Sequence, residues 1–258
     1  MSPIMFKIGS VGIRWYSVLI LISFIIGYFL VLTRARKQTV SSVYINDLCF
    51  YLVVFCIIGA RLYYCLFNME YYKYHMIEIL KIWEGGLAIH GGIIAGLIVL
   101  LVYTKKFQIG FFRITDIIAP ALALGQAIGR WGNFFNQEAY GPVTTVAELR
   151  RLHVPNFVID GMYIDGTYHH PTFLYESLAC LLIFIIIMII RNSKYIKDGQ
   201  VTGMYFIIYG VARYFIESLR QDSLYLGTYK VAQLVSFAMI AVGILLIIIP
   251  LFRRKYDQ

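Results

Sequence analysis

The chain has 258 residues, of which 60% are hydrophobic and 14% are charged, with a mean hydropathy of +0.72. Because a soluble domain carries about 25% charged residues, this composition excludes a soluble globular protein and predicts one that crosses a membrane several times. The formal net charge of +9 does not indicate nucleic-acid binding, since the basic residues form short clusters between apolar runs and fit loops that face an anionic membrane leaflet.

Seven apolar runs are each long enough to cross a hydrocarbon core of about 30 Å. They lie near residues 15–33, 44–67, 86–104, 114–131, 172–190, 201–217 and 231–251. The first run has no small-residue cleavage site after it, which predicts a retained span and not a signal peptide. The expected fold is an all-α polytopic membrane protein, with residues 1–258 forming a single integral-membrane domain.

Short basic segments between the apolar runs predict the orientation of the chain. They are Arg34/Arg36/Lys37, Lys105/Lys106/Arg113, Arg191/Lys194/Lys197 and Arg253/Arg254/Lys255. The positive-inside rule places all four in the cytoplasm. The N-terminus is then expected outside the cell and the C-terminus inside it.

The segment 132–171 is the only polar stretch of any size, and we expect it to form a small extracytoplasmic cap. The alternating run Phe157–Tyr163 contains one Asp-Gly pair, Asp160–Gly161, and is followed by a second, Asp165–Gly166. Such pairs favour tight hairpin turns. We therefore predict a small strand hairpin within the cap.

A dense group of polar residues follows the fourth apolar run, in the segment Gly129–Gly141 (GRWGNFFNQEAYG). A guanidinium at the membrane boundary is costly unless it meets an anion, so Arg130 is a candidate for binding a lipid phosphate. The amides of Asn133 and Asn136 suit a glycerol hydroxyl or ester carbonyl, or backbone groups of an unwound helix. Glu138 can orient an arginine. Alternatively, Arg130 extends to lipid head groups and pairs with Glu138 for structural reasons.

The sixth run carries Tyr209, Arg213, Glu217 and Arg220 at spacings of 4, 4 and 3 residues. Such spacings put all four on one face of a helix, and this polar stripe is not expected to face lipid. One interpretation places Arg213 on a phosphate, with Glu217 holding it. The other is a buried Arg213–Glu217 pair that joins helices.

His90 lies among four glycines at the start of the third run. An imidazole there is a candidate general base, although a hydrogen-bonded structural role is the alternative. Small residues at four-residue spacing, Gly92/Gly96 and Ala121/Gly125/Gly129, predict close packing of the third and fourth spans. That packing would bring His90 near Arg130.

Other polar residues have structural explanations. Tyr16 and Tyr64 lie near arginines at span ends, where interfacial aromatic residues are common. Thr172 is a candidate helix cap, with Tyr175 and Glu176 in the first turn, where a carboxylate suits the helix dipole. The four cysteines, Cys49, Cys56, Cys65 and Cys180, lie in or at the ends of apolar runs. Their spacing indicates neither a metal site nor a disulfide framework.

These motifs resemble the prolipoprotein diacylglyceryl transferase family. The segment Gly129–Gly141 is similar to the family signature Gly-Arg-x-Gly-Asn-Phe-x-Asn-x-Glu-x-x-Gly. The matching positions are Arg130, Gly132, Asn133, Phe134, Asn136, Glu138 and Gly141. Similar blocks occur in the family's order at Arg14–Tyr16, Ala88–Gly92, His170–Glu176 and Tyr209–Glu217.

The resemblance implies transfer of the diacylglyceryl group of phosphatidylglycerol to the lipobox cysteine of a prolipoprotein signal peptide, with release of glycerol phosphate. It implies a multi-pass protein of the bacterial cytoplasmic (inner) membrane with its active site toward the outer leaflet, and no cofactor or metal. Arg130 and Arg213 would bind the phosphate, and Tyr16 would orient lipid or thiol. His90 is the first candidate for the base, with Glu138 or Glu217 as alternatives. The lipid would also be bound by Asn133, Asn136, Gly141, Tyr64, Tyr209 and Arg220.

A different class of protein fits the same arginines. A transporter or flippase for an anionic lipid or small anion would bind phosphate without breaking bonds. The sequence alone does not show an internal repeat, which disfavours a transporter built from inverted halves.

Overall fold

The computed structural model describes residues 2–9, 11–221 and 223–253, and most of them are helical. The α-helices are α1 (Trp15–Lys37), α2 (Ser42–Phe67), α3 (Met69–Tyr72), α4 (Ile89–Lys106), α5 (Phe111–Asn136), α6 (Val146–Arg151), α7 (Asn156–Gly161), α8 (Thr172–Ile190), α9 (Gln200–Leu219) and α10 (Val231–Arg253). Two short 3₁₀ helices, Met76–Leu80 and Ile82–Glu84, precede α4. Arg254 and Lys255, which contribute to the predicted orientation, lie outside the described residues.

The strands are short and form three small antiparallel sheets. The first pairs β1 (Ile4–Ile8) with β2 (Val11–Arg14). The second has the order β3 (Val143–Thr144), β5 (Thr167–His169), β4 (Tyr163–Ile164). The third pairs β6 (Tyr225–Leu226) with β7 (Tyr229–Lys230).

Six described helices are long and apolar enough to cross a membrane, namely α1, α2, α4, α5, α8 and α10. The prediction of a polytopic helical membrane protein is therefore confirmed. The predicted sixth span corresponds to α9, a helix of 20 residues that is not among those six because polar residues interrupt it. The predicted orientation and the count of seven spans stay predictions.

By its internal contacts the chain forms two compact units. Unit 1 comprises Met1–Leu30 and Thr115–Gln258, and unit 2 comprises Val31–Ile114. The single integral-membrane domain over residues 1–258 stays a prediction.

In unit 2, α2 and α4 pack through glycines. A Cβ atom on Gly91 would lie 2.2 Å from the carbonyl oxygen of Gly59, and one on Gly59 would lie 2.5 Å from the Cβ of Ala95. Gly96 faces the sulfur of Cys56, which would be 3.1 Å from an added Cβ. The small residues of α4 thus allow close helix contact, as their spacing predicts, and these contacts are made with α2.

Arg61, which interrupts the second apolar run, is buried and holds the loop before α4. Its Nε donates to the carbonyl of Ile79 at 2.9 Å, and its Nη1 donates to those of Gly85 and Gly86 at 2.8 and 3.1 Å. The Nη2 donates to the carbonyl of Glu78. Backbone dipoles therefore compensate a charge that would otherwise be costly at this position.

In unit 1, α5, α8 and α9 share one apolar core. It includes Ala119, Ala123 and Ala127 of α5, Cys180, Ile183 and Ile187 of α8, and Val201, Tyr205 and Tyr209 of α9. Two members of the series on α5, Ala121 and Gly129, lie against α1. A Cβ atom added to Gly27 of α1 would lie 3.4 Å from the Cβ of Ala121, and one added to Gly129 would lie 3.6 Å from the side chain of Ile20. The expectation that glycine packing brings His90 beside Arg130 stays a prediction.

The cap segment packs α6, α7 and the β3–β5–β4 sheet around a small core that also includes Phe134 of α5 and Phe173 of α8. The Asp165–Gly166 pair forms the predicted hairpin turn between β4 and β5, with φ angles of 48° and 86°, as a tight two-residue turn requires. The run Phe157–Tyr163 is not the predicted strand, since Asn156–Gly161 is helical. The reason is that Val158, Ile159 and Met162 are buried together, at helical spacing.

Candidate functional site

A tight turn follows the end of α5. Helix α5 runs five residues beyond the predicted span, to Asn136, and the chain then turns through Gln137 and Ala139, whose φ angles are 51° and 58°. The Glu138 carboxylate accepts hydrogen bonds from the amides of Asn133 at 2.9 Å and Asn136 at 3.2 Å. These three predicted site residues therefore form one connected group.

Arg130 pairs with a residue that the sequence analysis did not select for the site. Its Nη2 lies 2.7 Å from Oε1 of Glu176 on α8, while its Nη1 lies 3.5 Å from Oδ1 of Asn133. Among the described contacts Arg130 reaches Glu138 through Asn133, so the alternative of a direct Arg130–Glu138 pair is not the arrangement found. The reason is that the Glu138 carboxylate is turned toward the two amides.

Aromatic packing holds the start of α8 against the end of α5. The ring of Phe173 lies 4.9 Å from the ring of Phe134 and 5.3 Å from that of Trp131, between centroids. Phe134 and Phe173 are both buried. Because Glu176 follows Phe173 by less than one helical turn, this packing fixes the carboxylate opposite Arg130.

Glu176 bridges two arginines. Its Oε2 accepts a hydrogen bond from Nη1 of Arg213 at 2.8 Å, and its Oε1 accepts one from the hydroxyl of Tyr209 at 3.0 Å. The side chain of Glu176 is only 3% exposed. The predicted polar face of α9 is therefore turned toward a carboxylate from α8, and Arg130 and Arg213 are brought together by it.

The cluster continues along α9. The Glu217 Oε2 atom lies 2.6 Å from Nη2 of Arg213 and 4.0 Å from Nε of Arg220. Within the described residues this oxygen accepts no hydrogen bond of good geometry. We therefore interpret its approaches to Arg213 and Arg220 as ion pairs without a hydrogen bond. Arg213 and Glu217 are therefore paired, but the pair lies within α9 at i,i+4 spacing and does not join helices as the alternative interpretation expected.

The two carboxylates of this cluster, Glu176 and Glu217, are more buried than its arginines, Arg130, Arg213 and Arg220. Both carboxylates are 3% exposed, whereas the arginine side chains are 23%, 15% and 14% exposed. The guanidinium groups also carry more N–H donors than two carboxylates can accept. The arrangement suits binding of one further anion on the arginine side.

Tyr16 packs against the backbone of the signature segment. A Cβ atom on Gly132 would lie 2.3 Å from the ring of Tyr16. The neighbouring Trp15 stacks on Phe135 with centroids 4.7 Å apart. Gly132 is thus required because the phenol ring occupies the place of its side chain, and Tyr16 is fixed near the end of α5.

We expect Gly132→Ala to lower the Tm of the detergent-solubilised protein, because overpacking costs about 1–3 kcal/mol. Gly125→Ala is the matched control, since it lies in the same helix and an added Cβ meets nothing within 4 Å. Both changes raise helix propensity, so only the contact with Tyr16 differs. Equal Tm values for the two variants would contradict the packing described for Gly132.

Gly141 joins the signature segment to the start of α8. Its N–H donates to the carbonyl of His170 at 2.9 Å, and an added Cβ would lie 2.9 Å from the Cβ of His170. Thr172 is not the predicted cap, because its hydroxyl donates to the carbonyl of Ala139 and α8 has no side-chain cap bond. Both residues hold the turn after α5 against α8, and a contact of Gly141 with lipid stays a prediction.

His90 and Tyr64 belong to unit 2. His90 is the second residue of α4 and is exposed, with its ring 5.9 Å from that of Tyr63 between centroids. Tyr64 packs over Gly86, where an added Cβ would lie 2.7 Å from its ring. Their roles as base and lipid ligand stay predictions.

The sequence did contain a signal for Glu176. It is the only acidic residue in the apolar run 172–190, and an ionisable residue inside a span is by default a functional candidate. Its position in the first turn of α8 also suits the helix dipole, which gives Glu176 a structural explanation as well. In the structure Glu176 is the shared counter-charge of two arginines, Arg130 on α5 and Arg213 on α9.

The fold and the site define a class: a multi-pass helical membrane protein with a buried arginine–glutamate cluster. A family model described as prolipoprotein diacylglyceryl transferase matches residues 3–249. A relative from Listeria innocua, named phosphatidylglycerol–prolipoprotein diacylglyceryl transferase, is 44% identical over 248 residues, which cover 96% of this chain and 89% of the relative. The chain belongs to the prolipoprotein diacylglyceryl transferase family.

Two further relatives carry the same name. One from Staphylococcus saprophyticus is 41% identical over 99% of this chain and 91% of its own length. One from Ligilactobacillus salivarius is 42% identical over 100% of this chain and 94% of its own length. The similarity therefore extends across both compact units.

Proposed function

We propose that this protein transfers the sn-1,2-diacylglyceryl group of phosphatidylglycerol to the lipobox cysteine of prolipoprotein signal peptides. The observation that carries the proposal is the pair of arginines bridged by Glu176 in a member of this family. Relatives at 41–44% identity are named for this reaction. We place the reaction at the outer leaflet of the bacterial cytoplasmic membrane.

The arginine cluster suits the phosphate of the donor lipid. A phosphodiester carries one negative charge and can lie on the accessible side of Arg130 and Arg213, whose side chains are 23% and 15% exposed while that of Glu176 is 3% exposed. Planar guanidinium groups also match phosphate oxygens in geometry. Arg130 and Arg213 would hold the phosphate, with Glu176 keeping the two at a fixed separation.

The reaction increases the charge on that phosphate. The thiolate of the acceptor attacks the sn-3 carbon of the diacylglyceryl group, a carbon–sulfur bond forms, and the carbon–oxygen bond to the phosphate breaks. The electron pair of that bond leaves with glycerol phosphate, whose phosphate changes from one negative charge to two. Donors fixed around the leaving group stabilise this added charge in the transition state, which is the role we assign to Arg130 and Arg213.

The acceptor thiol must lose its proton before or during attack. Glu217 is a poor candidate for the base because its carboxylate already lies against the guanidinium group of Arg213 and near that of Arg220. Glu138 accepts two amide hydrogen bonds and contacts no arginine among the described contacts. We retain His90 as the first candidate base and Glu138 as the alternative.

The remaining predicted residues have supporting roles in this proposal. Tyr209 donates to Glu176 and so steadies the bridge. Asn133 and Asn136 lie beside Arg130, where their amides suit the glycerol and ester groups of the lipid. Tyr16 lies against Gly132 on the same helix end. Gly141, Tyr64 and Arg220 complete the proposed lipid-binding set.

The experiment gives purified protein phosphatidylglycerol and a synthetic lipobox peptide, and follows peptide mass. We expect the peptide to gain the mass of one diacylglyceryl group. An unchanged peptide mass together with movement of phosphatidylglycerol across vesicle bilayers would overturn transfer in favour of a transporter or flippase.

A peptide in which the lipobox cysteine is replaced by serine is expected to give no product. A hydroxyl is far less acidic and less nucleophilic than a thiol, while the rest of the peptide is unchanged. Competition by the serine peptide against lipidation of the cysteine peptide checks that it still binds. Lipidation of the serine peptide at a comparable rate would contradict a thiol acceptor.

A further inference from the structure

Helix α9 carries Arg213 and Glu217 of the cluster and is followed directly by Arg220, and a charged residue from another element holds each of its ends. At its start, the buried carboxylate of Asp116 on α5 accepts hydrogen bonds from the backbone N–H groups of Gly199 and Thr202, both at 2.8 Å. The hydroxyl of Thr202 donates to the same carboxylate at 2.6 Å. Asp116 is therefore a helix cap supplied from a neighbouring helix, since Gly199 has no side chain to cap α9 itself.

At the other end of α9, Lys230 caps the last carbonyl groups. Its Nζ donates to the carbonyl of Glu217 at 2.7 Å and that of Arg220 at 3.0 Å, and lies 3.4 Å from that of Ser218. The ammonium group thus uses its three N–H donors on the backbone that carries two members of the cluster. Lys230 directly precedes α10, so this contact ties the start of α10 to the end of α9.

Both charges match the helix dipole. An anion lies at the N-terminus of α9 and a cation lies at its C-terminus, which are the stabilising positions for each sign. Arg213 lies between the two capping residues Asp116 and Lys230. It follows Thr202, which Asp116 contacts, by 11 residues or about 16 Å of helix, and it precedes Arg220, which Lys230 contacts, by about two turns. Among the hydrogen bonds given above, neither Asp116 nor Lys230 contacts the side chain of Arg130, Glu176 or Arg213.

The bridge itself depends on the axial position of α9. The contact of Arg213 with Glu176 on α8 measures 2.8 Å, whereas a slip of one helical turn is about 5.4 Å. Displacement of α9 by a small part of a turn would separate Arg213 from Glu176, while the Arg213–Glu217 pair, which lies within α9, would move with the helix. The position of α9 along its axis is therefore a condition of the two-arginine arrangement.

We infer that Asp116 and Lys230 are positioning residues for the transfer reaction, which fix α9 along its axis so that Arg213 meets Glu176. The inference rests on the proposed function. Neither residue touches the phosphate in this account. Each acts through the backbone of α9, Asp116 from the start of the helix and Lys230 from its end.

The test compares kcat and KM for phosphatidylglycerol in Lys230→Met, Lys230→Arg and Lys197→Met. The Lys197 ammonium also donates to a helix carbonyl, that of Pro250, but it does not contact the end of α9 that holds the cluster. We expect Lys230→Met to lower kcat/KM about 10- to 100-fold, since small misplacements at a site have effects of this size. Lys230→Arg should recover most of that loss, and Lys197→Met should stay within about twofold of wild type.

Asp116 is tested by a double-mutant cycle with Thr202. If Asp116 acts through its contact with Thr202, Asp116→Asn combined with Thr202→Val should lower kcat/KM no further than Asp116→Asn alone. All variants are normalised to folded protein by size-exclusion recovery and Tm. Fully multiplicative effects, or equal losses in Lys230→Met and Lys197→Met, would overturn the inference.

Binding of phosphatidylglycerol, measured as the rise in Tm that the lipid causes, separates this inference from the proposed function. Absence of peptide lipidation by the wild type would defeat the proposed function alone. In that case a weaker lipid response in Lys230→Met than in Lys197→Met supports the positioning role. Equal lipid responses in the two variants overturn it.

Discussion

Replacing Arg130 with lysine is expected to lower the rate of transfer by about 10²- to 10³-fold, the usual effect of removing one donor that stabilises a developing negative charge. Lysine keeps the positive charge beside Glu176, so the protein should still fold. It lacks the planar pair of donors with which Arg130 contacts Glu176 and Asn133 at once. The measurement is peptide lipidation per unit of folded protein with phosphatidylglycerol as donor.

Arg151→Lys is the matched control for Arg130→Lys. Arg151 also pairs with a glutamate, Glu148, at 2.8 Å, but its side chain is 76% exposed and lies in the cap segment. An exposed pair of this kind contributes about 0–1 kcal/mol. We expect wild-type lipidation from this control, and wild-type lipidation from Arg130→Lys would exclude the phosphate role of Arg130.

Replacing Glu176 is expected to affect both stability and activity. Glu176→Ala should destabilise the protein by about 3–5 kcal/mol, because two largely buried guanidinium groups lose a shared, fully buried partner. Glu176→Gln keeps the shape but removes the negative charge that lies between Arg130 and Arg213. Its NH₂ group also faces an arginine donor. We expect Glu176→Gln to fold with a lower Tm and to lose about 10²-fold in transfer rate, since the arginines are no longer held together.

The control for Glu176→Gln is Glu148→Gln, which breaks the exposed pair with Arg151. It should change neither Tm nor lipidation measurably. A Glu176→Gln protein with the Tm and transfer rate of the wild type would show that the bridge has no part in holding the two arginines.

Much of the fold can be predicted from the sequence, because the lengths of the apolar runs determine which segments form membrane-spanning helices. Six predicted spans are helices of sufficient length and apolarity, and the sixth run is the helix α9 that the residue spacing required. The fourth run illustrates the limit. Hydropathy ends the span at residue 131, but Phe134 is buried in the core of the cap, so the helix continues to Asn136.

The candidate site was predictable in its arginines but not in its connections. A guanidinium in an apolar run is conspicuous, so Arg130 and Arg213 were selected from the sequence. Which carboxylate each arginine contacts depends on how α5, α8 and α9 pack, and the sequence does not reveal that packing. Glu138 was near Arg130 in sequence, yet Glu176, 46 residues after Arg130, is its partner.

The caps of α9 were not predictable for the same reason. Asp116 contacts residues 83 and 86 positions away, and Lys230 ends the short strand β7 with no motif around it. Each is a single charged residue whose role depends on which helix end lies beside it. Asp116 is unusual as an acidic residue inside the fourth apolar run, but nothing local to either residue indicates that its partner is an end of α9.

We propose that one phosphate, held by Arg130 and Arg213, leaves as the acceptor thiol takes its place on the diacylglyceryl group. The most direct test measures glycerol phosphate and lipidated peptide in the same reaction, with purified protein, phosphatidylglycerol vesicles and a lipobox peptide. We predict equal molar amounts of the two products from the wild type, neither in the absence of peptide, and little of either from Arg130→Lys. Glycerol phosphate released without a matching amount of lipidated peptide, or no release at all from the wild type, would contradict the account.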